Sequence, residues 1–255
     1  MIKRKTSREI EIMRQAGEIA AKARNLAGEL IRVGVTTKSI DKEIHSFIIS
    51  EGATPTFLGY QDYPASVCIS INDEVIHGIP SSRSLAQGDL VSIDIGATKR
   101  GYIGDCAETF IVGKGTDEAE KLVTVTRECF FESLKYALPG NRVSHISRAI
   151  QVHAEANGFS LVREFTGHGV GSKLHEAPEI PNYVMKPRRT PDPRLVPGMT
   201  IAIEPMVNAG RAAINILDDG WTVITADGKN SAHYENTILI TDNEPEILTM
   251  CEGMT

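Results

Sequence analysis

The sequence predicts an α+β protein built from two related halves, about residues 6–112 and 117–250. Two observations carry this prediction. First, two helical segments followed by strand-like segments occur in the same order twice along the chain. Second, each half has an apolar strand-like segment with a carboxylate at the same distance after a glycine, Asp94 in the first half and Glu204 in the second. An approximate two-fold axis between the halves would explain both observations.

Two helices are predicted at the start of the first half. Thr6 and Glu9 form a capping box, and small and apolar residues then recur at helical spacing until Gly34, where the helix is expected to end. A second helix is predicted from about Thr37, because isoleucines lie on one of its faces, and Gly52 is expected to stop it.

Strands are predicted next, at residues 66–72, 89–98 and 104–112, where β-branched and other apolar residues are concentrated. The second half then repeats the order, with helices at about residues 117–138 and 143–157. At one constant offset, the second helix of each half carries matching residues: Gly34 with Gly140, Ile40 with Ile146, Ile44 with Ile150, and Gly52 with Gly158.

A tight turn is predicted between Asp94 and Asp105, at Lys99 and Arg100, because their midpoint falls there, just before Gly101. With the turn there, the two carboxylates are expected directly opposite each other on one face of a hairpin. In the second half, Glu235 follows Glu204 on a later strand, as Asp105 follows Asp94. Two half-sites related by a two-fold axis would place the four carboxylates around one centre.

These four carboxylates and the imidazole of His168 are predicted to hold two divalent metal ions. Carboxylates that point to one buried place repel each other, and without a cation one of them would take up a proton. His168 lies in a glycine-rich segment, where a ligand can approach closely. This oxygen-rich donor set suits Mn, Fe(II), Co or Zn ions in a pair more than a structural zinc. No second histidine follows His175 at the spacing of H-E-x-x-H, so that zinc motif is rejected.

Composition limits the other possibilities. A chain of 255 residues, 41% of them hydrophobic, is expected to form a single domain over residues 1–255. The net charge of −6 and the lack of a concentrated basic segment argue against binding to DNA. The four cysteines are widely separated, which favours a reducing cytoplasm, and neither a signal peptide nor a membrane span is expected. We expect a soluble, cytoplasmic monomer.

Ordered motifs along nearly the whole chain resemble the type I methionine aminopeptidases. The motifs are KTSREIEIMRQAGEIAA, YPASVCISINDEVIHGIP, VSIDIG, GDCAETF, TGHGVGSKLHEAP, GMTIAIEPM, DGWTV and YENTILIT. The resemblance implies the duplicated pita-bread fold, in which helices cover a curved antiparallel sheet. It also implies removal of the N-terminal methionine from nascent or newly made polypeptides by hydrolysis assisted by two metal ions.

The resemblance further implies roles for single residues. Asp94, Asp105, His168, Glu204 and Glu235 would be the metal ligands, with Asp105 and Glu235 bridging the two ions. Glu204 would also shuttle a proton.

Two further histidines and several cavity residues are implied to contact the substrate. His77 would lie near the scissile amide, and His175 would stabilise the carbonyl oxygen as it becomes an oxyanion. The pocket for the methionine side chain would be lined by Tyr60, Tyr63, Cys68 and Trp221. A site for a monovalent cation, Na or K, is matched by Asn72, Glu74 and Ser231.

Three features depart from the pattern of the family. Leu174 stands where phenylalanine is usual, and Phe57 occupies a position often held by cysteine. The sequence therefore does not determine the shape of the pocket. Segment 182–196 is rich in proline and arginine. We expect a surface loop there, with a transient contact to the ribosome or a lid role as the alternatives.

Three other functions compete with this one. A proline-directed dipeptidase or aminopeptidase on the same fold usually carries an extra N-terminal domain, and the first helix here begins at about residue 6. An inactive peptide-binding relative typically loses metal ligands, whereas all five are present. A metal-dependent phosphoesterase would need Arg or Lys side chains beside these motifs to bind the negatively charged phosphate. The sequence leaves the physiological metal and the preference for the second substrate residue open.

Overall fold

The computed structural model describes residues 2–184 and 191–250. Its helices are α1 (Ser7–Leu30), α2 (Thr37–Ser50), α3 (Asp117–Leu134) and α4 (Val143–Ala156), and a short 3-10 turn covers Tyr60–Asp62. The strands of the first half are β1 (Thr54–Pro55), β2 (Cys68–Ile71), β3 (Glu74–Ile76), β4 (Leu90–Lys99) and β5 (Tyr102–Ile111). Those of the second half are β6 (Ser160–Leu161), β7 (Gly167–Gly169), β8 (Glu176–Ile180), β9 (Thr200–Ile203), β10 (Met206–Asn208), β11 (Ile214–Ile216), β12 (Val223–Thr225), β13 (Ser231–His233), β14 (Glu235–Leu239) and β15 (Glu246–Ile247).

The two halves share one antiparallel sheet. Among the described residues this sheet has nine strands, in the order β1-β4-β5-β14-β9-β7-β8, with β2 also paired to β4 and β15 to β14. The halves meet where β5 pairs with β14, with Glu235 opposite Ala107. The pairs β4–β5 and β9–β14 therefore lie on the two sides of this junction, which confirms the predicted duplicated α+β fold. Two smaller sheets, β13-β10-β6 and β11-β12-β3, complete the strands.

Each half covers its strands with its own pair of helices. In the first half, apolar residues of α1 and α2 pack on β2 and β4, including Ile19, Ile44, Ile69 and Ile93. In the second half, α3 and α4 pack on β9 and β14, including Leu122, Ile146, Ile201 and Ile238. The helices therefore bury one face of the sheet and leave the other to form the site. No helix in the described part of the chain combines the length and apolar character needed to cross a membrane.

Helix α1 approaches the sheet unusually closely. Its capping box is present as predicted, and its buried face carries alanines. A Cβ atom added at Gly104 on β5 would lie 2.5 Å from the Cα atom of Gly17 on α1. Two glycines are therefore needed where the helix crosses the strand that carries Asp105.

Two helix ends differ from the prediction. α1 ends at Leu30 rather than at Gly34, because Ile31 already has extended backbone angles, φ −69° and ψ 110°. α3 ends at Leu134, four residues before the predicted position. Pro139 disfavours helical angles in the residue before it, and the chain turns away ahead of it.

The turn between β4 and β5 lies one residue later than the midpoint predicted. Lys99 pairs with Tyr102, so the two-residue loop is Arg100 and Gly101. Both loop residues have positive φ angles, 49° and 80°. This is the condition for the primed turn that suits the twist of a hairpin, and it fixes where the loop falls.

The register that follows corrects the predicted position of the first two carboxylates. Asp94 pairs with Ala107, and Asp105 pairs with Gly96, so the two carboxylates are diagonal rather than directly opposite. They still lie on the same face, because alternate residues of a strand share a face. The predicted face was right and the predicted pairing was wrong.

Candidate metal centre

The structure brings the five predicted metal ligands to one place. Asp94 lies within β4 and Asp105 within β5, His168 is the middle residue of β7, Glu204 directly follows β9, and Glu235 begins β14. All five line one cavity of about 250 Å³. Residues from both halves are thus joined across the central strand pair.

Distances between the side chains are short enough for shared ions. Nε2 of His168 lies 3.4 Å from Oε1 of Glu204 and 3.8 Å from Oδ2 of Asp105. One donor atom each from Asp105, His168 and Glu235 lie within 4.8 Å of one another. This spacing suits several ligands of a common cation.

Burial and mutual repulsion disfavour the ionised forms of the four acids. Burial raises the pKa of Asp94 to about 7. It also raises the pKa values of Asp105, Glu204 and Glu235 well above their usual range, and the neighbouring carboxylates add to the effect. Divalent cations would remove this cost, because an opposite charge favours the ionised carboxylate.

Several carboxylate oxygens have no partner within the protein. Oδ1 of Asp94, Oδ1 of Asp105 and Oε1 of Glu235 are buried, and no described residue donates a hydrogen bond to them. Buried polar atoms are normally satisfied, and exceptions need an explanation. Oxygen ligands of divalent metal ions have this character, so the residues present fit a metal centre.

His168 is prepared to act as a neutral ligand. Its Nδ1 lies 2.9 Å from the carbonyl oxygen of Gly169, and donation of the Nδ1 proton to that oxygen leaves Nε2 with a free lone pair. Burial lowers its pKa to about 3, so the ring is uncharged at neutral pH. A Cβ atom at Gly167 would lie 2.5 Å from the carbonyl oxygen of Ala202, and β7 therefore needs glycine to reach β9.

The cavity wall contains the predicted pocket residues. Tyr60, Tyr63, Cys68 and Trp221 all line it. The rings of Tyr63 and Trp221 meet edge to face with centroids 5.0 Å apart. Phe57 and Leu174, the two departures from the family pattern, also lie in the wall, together with residues that sequence reasoning missed: Gln61, Ile76, Phe165 and Thr166.

Two further histidines line the cavity. Nδ1 of His175 lies 2.7 Å from the hydroxyl of Tyr60, and its ring centroid is 4.4 Å from that of His168. His77 has a positive φ of 61° and packs edge-on against Phe165, with centroids 5.5 Å apart. Burial lowers the pKa of His77 to about 4 and lowers that of His175. Both rings are therefore neutral at neutral pH.

His233 is a polar group beside the centre that sequence reasoning did not select. Its Nε2 is buried, has no hydrogen-bond partner among the described residues, and lies 3.9 Å from Oε2 of Glu235. Burial lowers its pKa to about 3. The available signal was alternation, because His233 and Glu235 are two residues apart in a strand-like segment.

The residues matched to a monovalent-cation site lie near one another. The main-chain N–H of Ser231 donates to the carbonyl oxygen of Asn72, 2.8 Å away. The side chains have protein partners: the amide oxygen of Asn72 accepts from Leu90 N, and Glu74 accepts from Ile71 N and from Arg83. A cation here would therefore depend largely on main-chain oxygens.

Segment 182–196 is described only in part, since residues 185–190 lie outside the described residues. Asn182 is fully buried, and its Nδ2 donates to the carbonyl oxygen of Glu204 at 2.9 Å. On the other side, the Asp192 carboxylate accepts from the main-chain N–H of Ser144 at the start of α4. The predicted loop character and ribosome contact stay predictions.

Comparison with known proteins agrees with the geometry of this site. Residues 11–242 match the model of the metallopeptidase family M24. A methionine aminopeptidase from Clostridium perfringens is 52% identical over 98% of this chain and 99% of its own length. Methionine aminopeptidase 1 of Bacillus subtilis is 50% identical over 98% of this chain and 99% of its own. The crystal structure of methionine aminopeptidase from Thermotoga maritima superposes with a TM-score of 0.95, at 42% identity, over 98% of this chain and 100% of that one.

The chain therefore belongs to the metallopeptidase family M24. Within that family, its relatives at this level of identity place it with the methionine aminopeptidases, which share the pita-bread fold.

Proposed function

We propose that this chain removes the N-terminal methionine from nascent or newly made polypeptides by hydrolysing the amide bond that follows it. One observation carries the proposal: four buried carboxylates and one neutral imidazole converge in a cavity whose walls are largely aromatic and apolar. The functions named for relatives that match over nearly their whole length support it.

Two divalent ions, Co, Mn, Fe(II) or Zn, are the proposed cofactors, held by the five converging residues. Asp105 and Glu235, on the paired strands β5 and β14, would be the ligands shared by the two ions, as the resemblance to the methionine aminopeptidases implies. The chemistry that such ions supply is ionisation of water near neutral pH and polarisation of the substrate carbonyl.

Glu204 is assigned the proton transfer. It would accept a proton from the attacking water and return it to the leaving amine. Its position in the cavity beside Asp105 and His168 places its carboxylate next to the other proposed metal ligands, where the attacking water would be bound. Its main-chain carbonyl is anchored by Asn182, whereas its side chain extends beyond the end of β9.

His175 is assigned to the carbonyl oxygen of the substrate. With the Tyr60 hydroxyl donating to Nδ1 at 2.7 Å, Nε2 carries the ring proton and can donate it to the oxygen as negative charge develops there. His77, neutral and held between Phe165 and Trp221, would lie near the scissile amide.

The methionine side chain is assigned to the aromatic part of the cavity, formed by Tyr60, Tyr63, Cys68 and Trp221. A thioether packs well against aromatic ring edges, so this wall favours methionine over branched aliphatic residues. Phe57 and Leu174 would set the depth of the pocket, which limits the side chain mainly by size.

The proposal includes four finer points. Residues 1–255 act as one catalytic domain, because both halves contribute ligands. Na or K binds near Asn72, Glu74 and Ser231. The enzyme works as a cytoplasmic monomer, and it contacts the ribosome transiently.

The test is a substrate comparison with metal supplied. Purified protein is stripped with a chelator, reloaded with Co, Mn, Fe(II) or Zn, and incubated with Met-Ala-Ser, Ala-Pro and p-nitrophenyl phosphate. We expect release of methionine from the first substrate alone, no activity in the stripped protein, and recovery on reloading. Cleavage of Ala-Pro in preference to Met-Ala-Ser would indicate a proline-directed enzyme. Hydrolysis of the phosphate ester, or full activity without metal, would contradict the proposal.

A further inference from the structure

A buried ion pair connects the N-terminal segment to the loop that carries His175. Nζ of Lys5 lies 2.7 Å from Oε2 of Glu176, and the two side chains are only 5% and 8% exposed. Glu176 directly follows His175 and begins β8. With so little exposure of the two side chains, loss of either one would leave a poorly solvated charge on the other.

The second oxygen of Glu176 closes the loop before His175. Oε1 accepts from the main-chain N–H of Ser172 at 3.1 Å and from that of Lys173 at 3.3 Å. The N–H of Gly171 also donates to the carbonyl oxygen of Lys173, 3.1 Å away. The Glu176 carboxylate therefore holds the main chain at Ser172 and Lys173, within the turn that connects β7, with His168, to His175.

Lys5 is itself fixed to a different part of the sheet. Its main-chain N–H donates to the carbonyl oxygen of Gly198 at 2.7 Å, and the neighbouring Arg4 donates to that of Pro197 at 2.8 Å. These residues directly precede β9. The Lys5 side chain then passes over Gly171, where an added Cβ atom would lie 2.5 Å from Lys5 Cε. A side chain at this position would therefore require the end of the Lys5 side chain to move.

We propose that Lys5 is a positioning residue for His175, acting through the Glu176 carboxylate. The ion pair holds the 172–175 loop against the segment that leads into β9, so that the ring of His175 meets Tyr60 and faces the metal ligands. This inference rests on the proposed function, because it assigns His175 to the substrate carbonyl oxygen.

The test is a double-mutant cycle in the metal-loaded enzyme. Lys5→Met is measured with Met-Ala-Ser in the wild-type background and in the His175→Ala background. We expect Lys5→Met alone to lower kcat by roughly 10- to 100-fold with little change in KM, because small misplacement of a catalytic group is costly. In the His175→Ala background the same substitution should cause no further loss, because the group that it positions is gone.

Matched variants separate positioning from general stability. Lys135→Met removes an exposed Lys–Glu pair, 2.6 Å long and distant in the fold, and should leave kcat unchanged. Lys5→Arg keeps the charge and should recover part of the lost kcat. If Lys5→Met does not fold, Glu176→Gln takes its place in the cycle, because it removes the charge and keeps the shape.

Two results would overturn the inference. One is a wild-type kcat in Lys5→Met or Glu176→Gln, and the other is an equal fold-loss in both backgrounds, which would indicate a purely structural effect. Failure of the wild-type enzyme to release methionine would contradict the proposed function instead, so the two failures are distinguishable.

Discussion

The two halves of the sheet carry equivalent carboxylates on differently built strands. In the first half, β4 and β5 each run for ten residues without interruption, and Asp94 and Asp105 lie inside this continuous ladder. In the second half, the counterpart of β4 is divided by Glu204 and Pro205 into β9 and β10. The counterpart of β5 is divided at Tyr234.

The divisions send the second-half segments to different sheets. β9 and β14 stay in the main sheet, whereas β10 and β13 pair with each other, Met206 opposite His233, and join β6. Glu204 and Glu235 therefore lie where one sheet gives way to another. A glutamate is one methylene longer than an aspartate, so these side chains can reach the centre from strand ends.

The imidazole of His168, a candidate ligand, has no counterpart in the first half. His168 pairs with Ala202, two residues before Glu204. At the matching place in the first half, Ser70 pairs with Ser92, two residues before Asp94. The difference teaches that the two halves supply the four carboxylates by the same arrangement of strands, and that the second half alone adds the imidazole among the candidate ligands and the candidate proton carrier.

The sharpest test of this difference compares equivalent carboxylates. Glu204→Gln should keep the fold and lower kcat by at least about 10³-fold at saturating metal, because the proton carrier is lost. Asp94→Asn should mainly weaken metal binding, so that its activity recovers in part with excess metal. Steady-state rates across a metal titration, with metal content measured directly, check both. If both variants lose the same fraction of kcat and excess metal restores neither, the proposed difference between Glu204 and Asp94 is wrong. Full activity in Glu204→Gln would show that Glu204 is not the proton carrier.

A second test compares His168 with its counterpart Ser70. His168→Ala should weaken metal binding by more than about 100-fold, since it removes a ligand rather than a neighbour of one. Ser70→Ala should leave metal affinity unchanged and lower the free energy of unfolding by about 1 kcal/mol, because its hydroxyl accepts from Gly78 N at 3.1 Å. Calorimetric metal titration of both variants gives the answer. Equal affinities would mean that His168 is not a ligand.

The smallest expected effect concerns the stability of the metal-free protein. The pKa of Asp94 is raised from 3.8 to about 7, so the folded protein keeps a proton that the unfolded chain releases. The stability contributed by this proton is full below about pH 4 and is lost as the pH rises to about 7. Asp94→Asn should therefore gain in free energy of unfolding relative to wild type across this window, on the order of 1 kcal/mol per pH unit.

Urea unfolding in the presence of a chelator at pH 5 and pH 7.5 measures this difference. Asp227→Asn is the control. Main-chain hydrogen bonds lower the pKa of Asp227, so this group titrates below the range tested. The free energy of unfolding of this variant relative to wild type should therefore be the same at both pH values. If the free energy of unfolding of Asp94→Asn relative to wild type is also the same at both pH values, the centre tolerates its charges without metal.

Much of the fold could be predicted because it depends on local signals. The Thr6 and Glu9 cap of α1 and the glycine after α2 act within a few residues, and both are present in the structure. The hairpin register could not be placed from the midpoint between two aspartates. The register depends on which two residues adopt positive φ angles, and these are Arg100 and Gly101.

The four acids and the histidine were found in sequence because burying like charges beside apolar strands demands a compensating cation. The outer parts of the site carried no such signal. His233 is placed by the pairing of β13 with β10, Phe165 lines the cavity from the segment between β6 and β7, and Lys5 reaches Glu176 across most of the chain.

By itself, the sequence determined the repeated order of helices and strands, the residues able to hold metal, and the family, because periodicity, residue chemistry and ordered motifs are all properties of the linear chain. Only the tertiary structure decided how the halves differ: which strands are interrupted, and which residue stands opposite which. Those outcomes depend on the pairing of segments far apart in the chain, where hydrogen-bond register and close packing choose among arrangements that local sequence allows equally.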